Sequence, residues 1–178
     1  NYFERRIFML NNQVAALLNN QINKEFFSAY LYLDMANYYF SKSLNGFGNW
    51  FKVQAQEERD HANLFISYLL NNDGDVSLGA IDAPGKVFSD FKAPLTESLV
   101  HEQYVTSLIN TIYAEAVKIR DFRTTQFLDW FVKEQGEEEK NVDELIKRFD
   151  LFGSDAKGLY MLDSELATRI YAAPSLVI

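Results

Sequence analysis

The stretch Glu57-Glu58-Arg59-Asp60-His61 lies within residues 50–70, a run that contains neither Gly nor Pro. Steps of three and four along this run predict one helix face formed by Phe51, Gln54, Glu58, His61, Phe65 and Leu69. Both ends of that face are apolar, so we expect it to be buried together with a carboxylate and an imidazole one turn apart. Burying such groups is costly unless a partner compensates them, and a metal ion is one such partner.

Composition limits the classes of function. The chain has 178 residues, is 48% hydrophobic and has a formal net charge of −8, which indicates one globular domain with a sizeable core. No basic patch suits nucleic acid or anionic lipid, and no apolar run of membrane-spanning length occurs. The absence of cysteine excludes disulfides, cysteine-ligated zinc and iron–sulfur clusters. Without a signal-peptide layout, we expect a cytoplasmic protein with no nucleic-acid or membrane partner.

Glycines and prolines divide the chain into predicted helices. We expect helices over residues 10–40, 49–71, 95–120 with Thr96 as a possible N-cap, and from about 125 to 152. Residues 41–48 are predicted as a turn, and residues 72–94 as a connection long enough to span the bundle. A short fifth helix is expected within residues 154–171, before an apolar tail over 172–178. Residues 1–8 are interpreted as an N-terminal extension of a domain over 9–153.

These elements predict an all-α fold. Strand signals are absent, and four long helices are joined by short, long and short connections. That pattern is typical of a four-helix bundle with one long crossover, here followed by a short C-terminal helix.

A repeat is hidden in the spacing of the acidic residues. Glu58 follows Glu25 by the same number of residues as Gln135 follows Glu102. His61 follows Glu25 by the same number of residues as Glu138 follows Glu102. Glu57 and Glu134 also occupy equivalent positions in the two halves of the sequence. The spacing therefore indicates that the chain contains the same kind of helix pair twice. If an approximate two-fold axis relates the two helix pairs, five side chains point at a common centre. They are Glu25, Glu58, His61, Glu102 and Glu138.

The two halves of this centre differ chemically. The first half contains Glu58-x-x-His61, whereas Gln135-x-x-Glu138 stands in the second half. One metal position therefore has an imidazole ligand, and the other has only carboxylates and an amide. Because imidazole suits iron better than a neutral amide, we expect the all-oxygen position to hold its metal more weakly.

From about residue 10 to residue 167, the sequence resembles the bacterial-type non-haem ferritins. The matching motifs are Asn23-Lys24-Glu25-Phe26-Phe27-Ser28-Ala29, Ala55-Gln56-Glu57-Glu58-Arg59-Asp60-His61, His101-Glu102-Gln103, Trp130-Phe131-Val132-Lys133-Glu134-Gln135-Gly136-Glu137-Glu138-Glu139-Lys140 and Gly158-Leu159-Tyr160-Met161-Leu162-Asp163. The resemblance implies a ferritin-like fold.

The same resemblance implies a set of site residues. The first iron would be bound by Glu25, Glu58 and His61. The second would be bound by Glu58, Glu102 and Glu138, with Gln135 close by. A third iron site would use Glu57, Glu134 and Glu137, with Glu138 shared. Tyr32 and Trp130 match aromatic residues beside the di-iron centre, and Tyr32 is included among the catalytic residues.

The implied activity is that of a ferroxidase. Fe(II) would be oxidised by dioxygen (or peroxide), and Fe(III) would be stored as a hydrous oxide inside a hollow shell of 24 subunits. The fifth helix would gather around a four-fold axis of the shell. No haem is expected, because Arg59 stands where bacterioferritin has its methionine ligand.

Three other functions fit parts of the pattern. A rubrerythrin-type di-iron peroxidase or oxygenase would need an electron-transfer module, and the chain has no cysteine and no spare domain. A miniature ferritin that coats DNA places its ligands between subunits and lacks the fifth helix. A plain helical bundle used for binding would leave five buried ionisable groups without a compensating partner.

Overall fold

The computed structural model describes residues 10–178, and the expected all-α architecture is confirmed there. Its helices are α1 (Asn12–Ser41), α2 (Asn45–Asn71), α3 (Ala93–Lys118), α4 (Phe122–Phe152) and α5 (Ala156–Leu166). The proposed N-terminal extension, residues 1–8, lies outside the described residues. Along residues 10–178, no helix combines the length and the apolarity needed to cross a membrane.

The bundle core consists of two apolar clusters with a polar layer between them. One cluster is centred on Ile22, Phe65, Ile109 and Phe131. The other is centred on Tyr39, Phe51, Leu95 and Leu145. On each of the four long helices, the predicted ligand positions lie between the residues of the first cluster and those of the second. The apolar clusters therefore enclose the candidate site from both ends of the bundle.

The long connection lies alongside α1, as the sequence predicts. Asn19 donates to the carbonyl of Asp75 at 2.9 Å, and Tyr39, near the other end of α1, donates to the carbonyl of Phe91 at 2.6 Å. Twenty helical residues span about 30 Å, so the connection covers most of the bundle length. It brings α3 back to the end of the bundle at which α2 begins, which makes α2 and α3 parallel.

Helix α2 begins earlier than the sequence predicts, because α5 caps it. The carboxylate of Asp163 accepts the backbone N–H groups of Gly46 and Phe47 at 2.8 and 3.0 Å. These are among the N–H groups that a helix start leaves without an intrahelical partner. Residues 45–48, expected in the turn, are therefore helical, and Ser43 makes the turn with a φ of 60°.

The start of α3 also differs from expectation, because its cap precedes Thr96. Asp90 accepts the backbone N–H groups of Lys92 and Ala93, each at 2.9 Å. Pro94 then falls in the first turn, where its missing N–H costs nothing. Thr96 is thus inside the helix rather than at its N-cap.

Helix α5 ends at Leu166, five residues before the predicted limit. Asn49 donates to the carbonyls of Leu166 and Arg169, at 3.3 and 3.0 Å, and thereby holds the chain as it turns off the helix. The tail then returns along the bundle. Trp130 Nε1 donates to Ser175 Oγ at 2.9 Å, and Leu176 packs against the first apolar cluster.

Candidate metal centre

Three predicted ligands converge in the polar layer between α1 and α2. Glu25, Glu58 and His61 are each 1–2% exposed. One ligand atom from each lies within 4.8 Å of the others. The helical periodicity that buries Ile22 and Phe65 also places these polar groups inside. Two carboxylates and an imidazole at this separation form a donor set suited to iron or another divalent transition metal.

Two polar atoms in this group are buried without hydrogen-bond partners. Gln21 donates to Glu25 Oε1 at 2.7 Å, whereas Glu25 Oε2 has no partner. His61 Nδ1 lies 3.4 Å from Glu58 Oε2 but makes no hydrogen bond. Buried polar atoms are rarely left unsatisfied, because the lost solvation costs about 1–3 kcal/mol. Both atoms are potential ligands, so the residues present fit a bound cation.

Glu102 is buried opposite this group, and both of its oxygens are already engaged. Tyr32 donates its phenolic hydrogen to Glu102 Oε1. Gln135 Nε2 donates to Glu102 Oε2 at 3.1 Å and also contacts Thr106 Oγ1 at 3.3 Å. The predicted ligand Gln135 is therefore placed as a hydrogen-bond donor to a carboxylate. Tyr32 lies where the sequence places it, beside the centre.

Gln54 joins two of the predicted ligands, a role that sequence reasoning missed. Its amide nitrogen donates to Glu58 Oε1 at 3.0 Å and to Glu138 Oε2 at 2.8 Å. Its oxygen accepts from Arg169 at 2.8 Å. The available signal was its place on the same helix face, one turn before Glu58. The sequence does not indicate which carboxylate of α4 the Gln54 side chain contacts.

The burial of so many acids changes their protonation. Burial and the charge of Glu58 raise the pKa of Glu25 and the pKa of Glu102 to about 8. Burial and the charge of Glu102 raise the pKa of Glu138 well above its ordinary value. Burial opposes the charge on His61, but the carboxylates of Glu58, Glu25 and Glu138 together outweigh burial and raise the pKa of His61 to about 10.

Burial acts to raise the pKa of Glu58, but the charge of His61 and the neighbouring hydrogen-bond donors, among them Gln54, together outweigh burial and lower it. Without a cation, the layer therefore contains one ionised pair, Glu58 with His61. The raised pKa of Glu25 and of Glu102, about 8 for each, keeps most of these two carboxyls protonated at neutral pH. Metal ligands must be deprotonated, so a cation that enters this layer displaces protons.

A second set of acidic groups lies on the other side of His61. His61, Glu134 and Glu138 also bring ligand atoms within 4.8 Å of one another. They line a cavity of about 290 Å³ together with Glu57 and Glu137. Glu57 and Glu134 are half-buried, whereas Glu137 is exposed and lies 3.4 Å from Lys133. All the residues of the predicted third site thus face one cavity, which we name the acidic pocket.

Two aromatic residues flank the centre. The ring of Trp130 packs edge-on against the ring of His61, with centroids 5.5 Å apart. His101, the residue before Glu102, is buried, and its Nε2 lies 2.7 Å from Ser28 Oγ. Its ring also packs edge-on against Tyr32, with centroids 5.8 Å apart. Among the residues described, His101 belongs to neither group of converging ligand atoms.

Comparisons with known proteins give one consistent family. The family of ferritin-like domains matches residues 15–152. A bacterial non-heme ferritin of Campylobacter jejuni is 37% identical over 87% of this chain and 93% of its own length. A bacterial non-heme ferritin of Staphylococcus aureus is 35% identical over 92% of this chain and 98% of its own length.

Solved structures show the same similarity. An engineered closed form of the Archaeoglobus fulgidus ferritin superposes with a TM-score of 0.89, at 38% identity over 92% of this chain and 99% of that one. The open pore ferritin of the same archaeon superposes with a TM-score of 0.88, at 38% identity over 90% and 98% of the two chains.

Proposed function

This chain belongs to the ferritin-like family and, within it, to the bacterial non-haem ferritins, and from that premise we propose that it is a ferroxidase as well as an iron-storage protein. The carrying observation is the buried group of Glu25, Glu58 and His61, in which two polar atoms make no hydrogen bond. Fe(II) is the substrate and dioxygen, or peroxide, the oxidant. The Fe(III) product is stored as a hydrous oxide.

The residues of the centre have distinct tasks. Glu25, Glu58 and His61 bind the first Fe(II), and Glu58, Glu102 and Glu138 bind the second. Two Fe(II) ions supply the two electrons that reduce dioxygen, with two protons, to hydrogen peroxide. Carboxyls whose pKa burial has raised release protons as the cations bind, so protons are available where oxygen is reduced.

Tyr32 and Gln135 fix the orientation of a ligand at the second iron position. Each donates a hydrogen bond to a different oxygen of Glu102, which fixes the plane of that carboxylate before metal arrives. Such outer hydrogen bonds typically contribute 10–100-fold to metal affinity or activity. Because Gln135 supplies no imidazole, the second position holds iron more weakly and passes the Fe(III) product onward more readily.

We assign a third iron site to the acidic pocket, with Glu57, Glu134 and Glu137 as ligands and Glu138 shared with the centre. Its support is the convergence of these side chains on one cavity that His61 also lines. Residues one position apart on a helix point about 100° away from each other, so Glu57 cannot share the metals of Glu58. An Fe(II) ion at this site is oxidised in the same reaction: its electron and a fourth from a further Fe(II) ion, with four protons in total, reduce dioxygen to two water molecules instead of hydrogen peroxide.

A shell of 24 subunits is proposed for storage. Sequence similarity to ferritins over most of the chain supports it. Helix α5 buries Leu162 and Leu166 against the bundle but leaves Tyr160 and Met161 largely exposed. These exposed apolar groups are suited to contacts between subunits around a four-fold axis. Light scattering of a variant that lacks residues 155–178 tests this role, and an intact 24-mer would exclude it.

Stopped-flow oxidation of Fe(II) tests the ferroxidase assignment. We expect His61→Ala and Glu25→Ala each to slow the fast phase more than about tenfold while the shell still assembles. Asp143→Ala, which alters an exposed carboxylate of α4 paired with Lys147, is the matched control and should retain the wild-type rate. A wild-type fast phase in His61→Ala would remove that residue from the mechanism.

An oxygen electrode tests the third site. A Glu57→Ala, Glu134→Ala double variant should still bind two metals in anaerobic titration, but should oxidise fewer Fe(II) ions per dioxygen consumed. If the ratio and the number of bound metals both equal those of the wild type, these glutamates are solvated acids with no part in the reaction.

A further inference from the structure

The acidic pocket is closed on one side by the chain's own C-terminal segment. Residues 168–175, which we name the strap, leave α5 and cross α2 towards α4. Arg169 binds residues of α2, Tyr171 donates to Asp60 of α2, and Ser175 accepts from Trp130 of α4. The strap residues that line the pocket, together with the glutamates, are Arg169, Ala172, Ala173, Pro174 and Ser175.

The guanidinium of Arg169 is held by three groups at once. It donates to Glu57 Oε2 at 2.5 Å, to Gln54 Oε1 at 2.8 Å and to the carbonyl of Trp50 at 3.1 Å. Its central carbon also lies 4.5 Å from the centroid of the Trp50 ring, within cation–π range. The Arg169 and Glu57 side chains are only 22% and 18% exposed. This is a fixed, partly desolvated ion pair rather than a loose surface contact.

Arg169 therefore places a permanent positive charge against a ligand of the third iron site. The Arg169 guanidinium donates to Glu57 Oε2 within a partly buried ion pair, so the arginine occupies this carboxylate while no metal is bound. A cation that binds Glu57 must then compete with a cation that is already there. A cation that binds Glu25 meets no such competitor, because Oε2 of Glu25 has no hydrogen-bond partner.

The same guanidinium also reaches the di-iron centre through one amide. Guanidinium groups only donate, so Gln54 must present its oxygen to Arg169 and its nitrogen to Glu58 and Glu138. Arg169 thereby fixes the orientation of the Gln54 side chain. Any movement of Arg169 off Glu57 also releases the amide that contacts two ligands of the centre.

We propose that Arg169 is a built-in counter-cation of the acidic pocket, which makes the third site fill last and links its filling to the centre through Gln54. Arg169 is a positioning residue that touches ligands but no substrate. This inference rests on the third site proposed above. It goes further in naming the group that sets the affinity of that site and the order in which the three sites fill.

Anaerobic calorimetric titration of the assembled protein with Zn²⁺ tests the proposal. The wild type should bind two Zn²⁺ per subunit tightly and a third more weakly. Arg169→Gln should bind the third about tenfold more tightly, a factor within the usual range of coupling between sites. Arg169→Lys, which keeps the charge, should restore the weak third site.

Two control variants separate charge from loosening of the strap. Tyr171→Phe removes the neighbouring anchor without changing charge, and its third site should keep the wild-type affinity. Lys118→Gln removes a positive charge by breaking the exposed ion pair with Glu115 on α3, which makes no contact with the strap, and it too should have no effect. Size-exclusion chromatography confirms that each variant assembles.

Each outcome decides between distinct conclusions. An unchanged third affinity in Arg169→Gln, or an equal gain in Tyr171→Phe, would overturn the role of the Arg169 charge. If the third equivalent persists in the Glu57→Ala, Glu134→Ala variant, the proposed third site is misplaced, and that result is independent of Arg169. If only two Zn²⁺ bind to both the wild type and Arg169→Gln, the third site and the competition at it are both excluded.

Discussion

Glu25 Oε2 and His61 Nδ1 share one property: each is a buried polar atom without a hydrogen-bond partner, and their residues bring ligand atoms within 4.8 Å of each other. They belong to different helices, α1 and α2, so the packing of the bundle creates this unsatisfied pair. The two unsatisfied atoms lower the stability of the metal-free protein, and a bound cation removes this loss.

A redox-inert cation should stabilise the protein. With Zn²⁺ at about 100 times its dissociation constant, linkage gives about 2.7 kcal/mol, or a rise of about 5–10 °C in Tm for a chain of this size. Scanning calorimetry measures the shift. His61→Ala should lose most of it, and an identical shift in that variant would contradict binding at the His61 group.

The stability of the metal-free protein should fall as pH rises from about 4.5 to about 8. The ordinary pKa of Glu25 and Glu102 is 4.5, and folding raises it to about 8, so in this range the folded state binds more protons than the unfolded state. The stability that these two groups contribute is fully present below pH 4.5 and is lost as the pH rises through 8. The raised pKa of His61 acts in the same direction above 6.5.

Zn²⁺ should reverse this trend, because its ligands are deprotonated and its affinity increases with pH. Chemical denaturation at several pH values, with and without Zn²⁺, measures both slopes. The lowered pKa of Glu58 acts only below pH 4.5 and leaves the comparison unaffected. A metal-free stability that rose between pH 5 and 8 would contradict the buried, protonated carboxyls.

Tyr32→Phe should weaken Zn²⁺ binding by about tenfold. The Tyr32 hydrogen bond lowers the pKa of Glu102, so its loss makes that carboxyl harder to ionise. Tyr39→Phe is the matched control, because Tyr39 is equally buried but donates to the Phe91 carbonyl, away from the acids. Both variants should lose about 1 kcal/mol of stability, and only the first should lose metal affinity.

Gly46→Ala should detach α5 from the bundle. A Cβ at Gly46 would lie 1.6 Å from the backbone oxygen of Asp163, so the helix must move and its cap on α2 is lost. We expect a cost of about 3 kcal/mol and faster tryptic cleavage after Arg169. Gly136→Ala, with no atom within 4 Å of its Cβ, should instead gain about 0.5–1 kcal/mol. Equal cleavage rates in the two variants would contradict the role of the Gly46 contact.

The bundle and the ligand set could be predicted because both depend on local periodicity. Spacing along α1 and α2 places Glu25, Glu58 and His61 inward whatever the details of packing. The contact of Gln54 with Glu138 could not be predicted, because it depends on how α2 and α4 are rotated against each other. The position of Arg169 depends on where α5 ends, which Asn49 decides from a distant part of the sequence.

The place of Arg169 in the chain also has a consequence for the order of synthesis. Ribosomes make the α1–α2 pair first, and it already contains every residue of the Glu25 group. Glu102 follows on α3, Glu138 on α4, and only then the guanidinium that closes the acidic pocket. A nascent chain therefore contains all three side chains of the Glu25 group long before Arg169 is made.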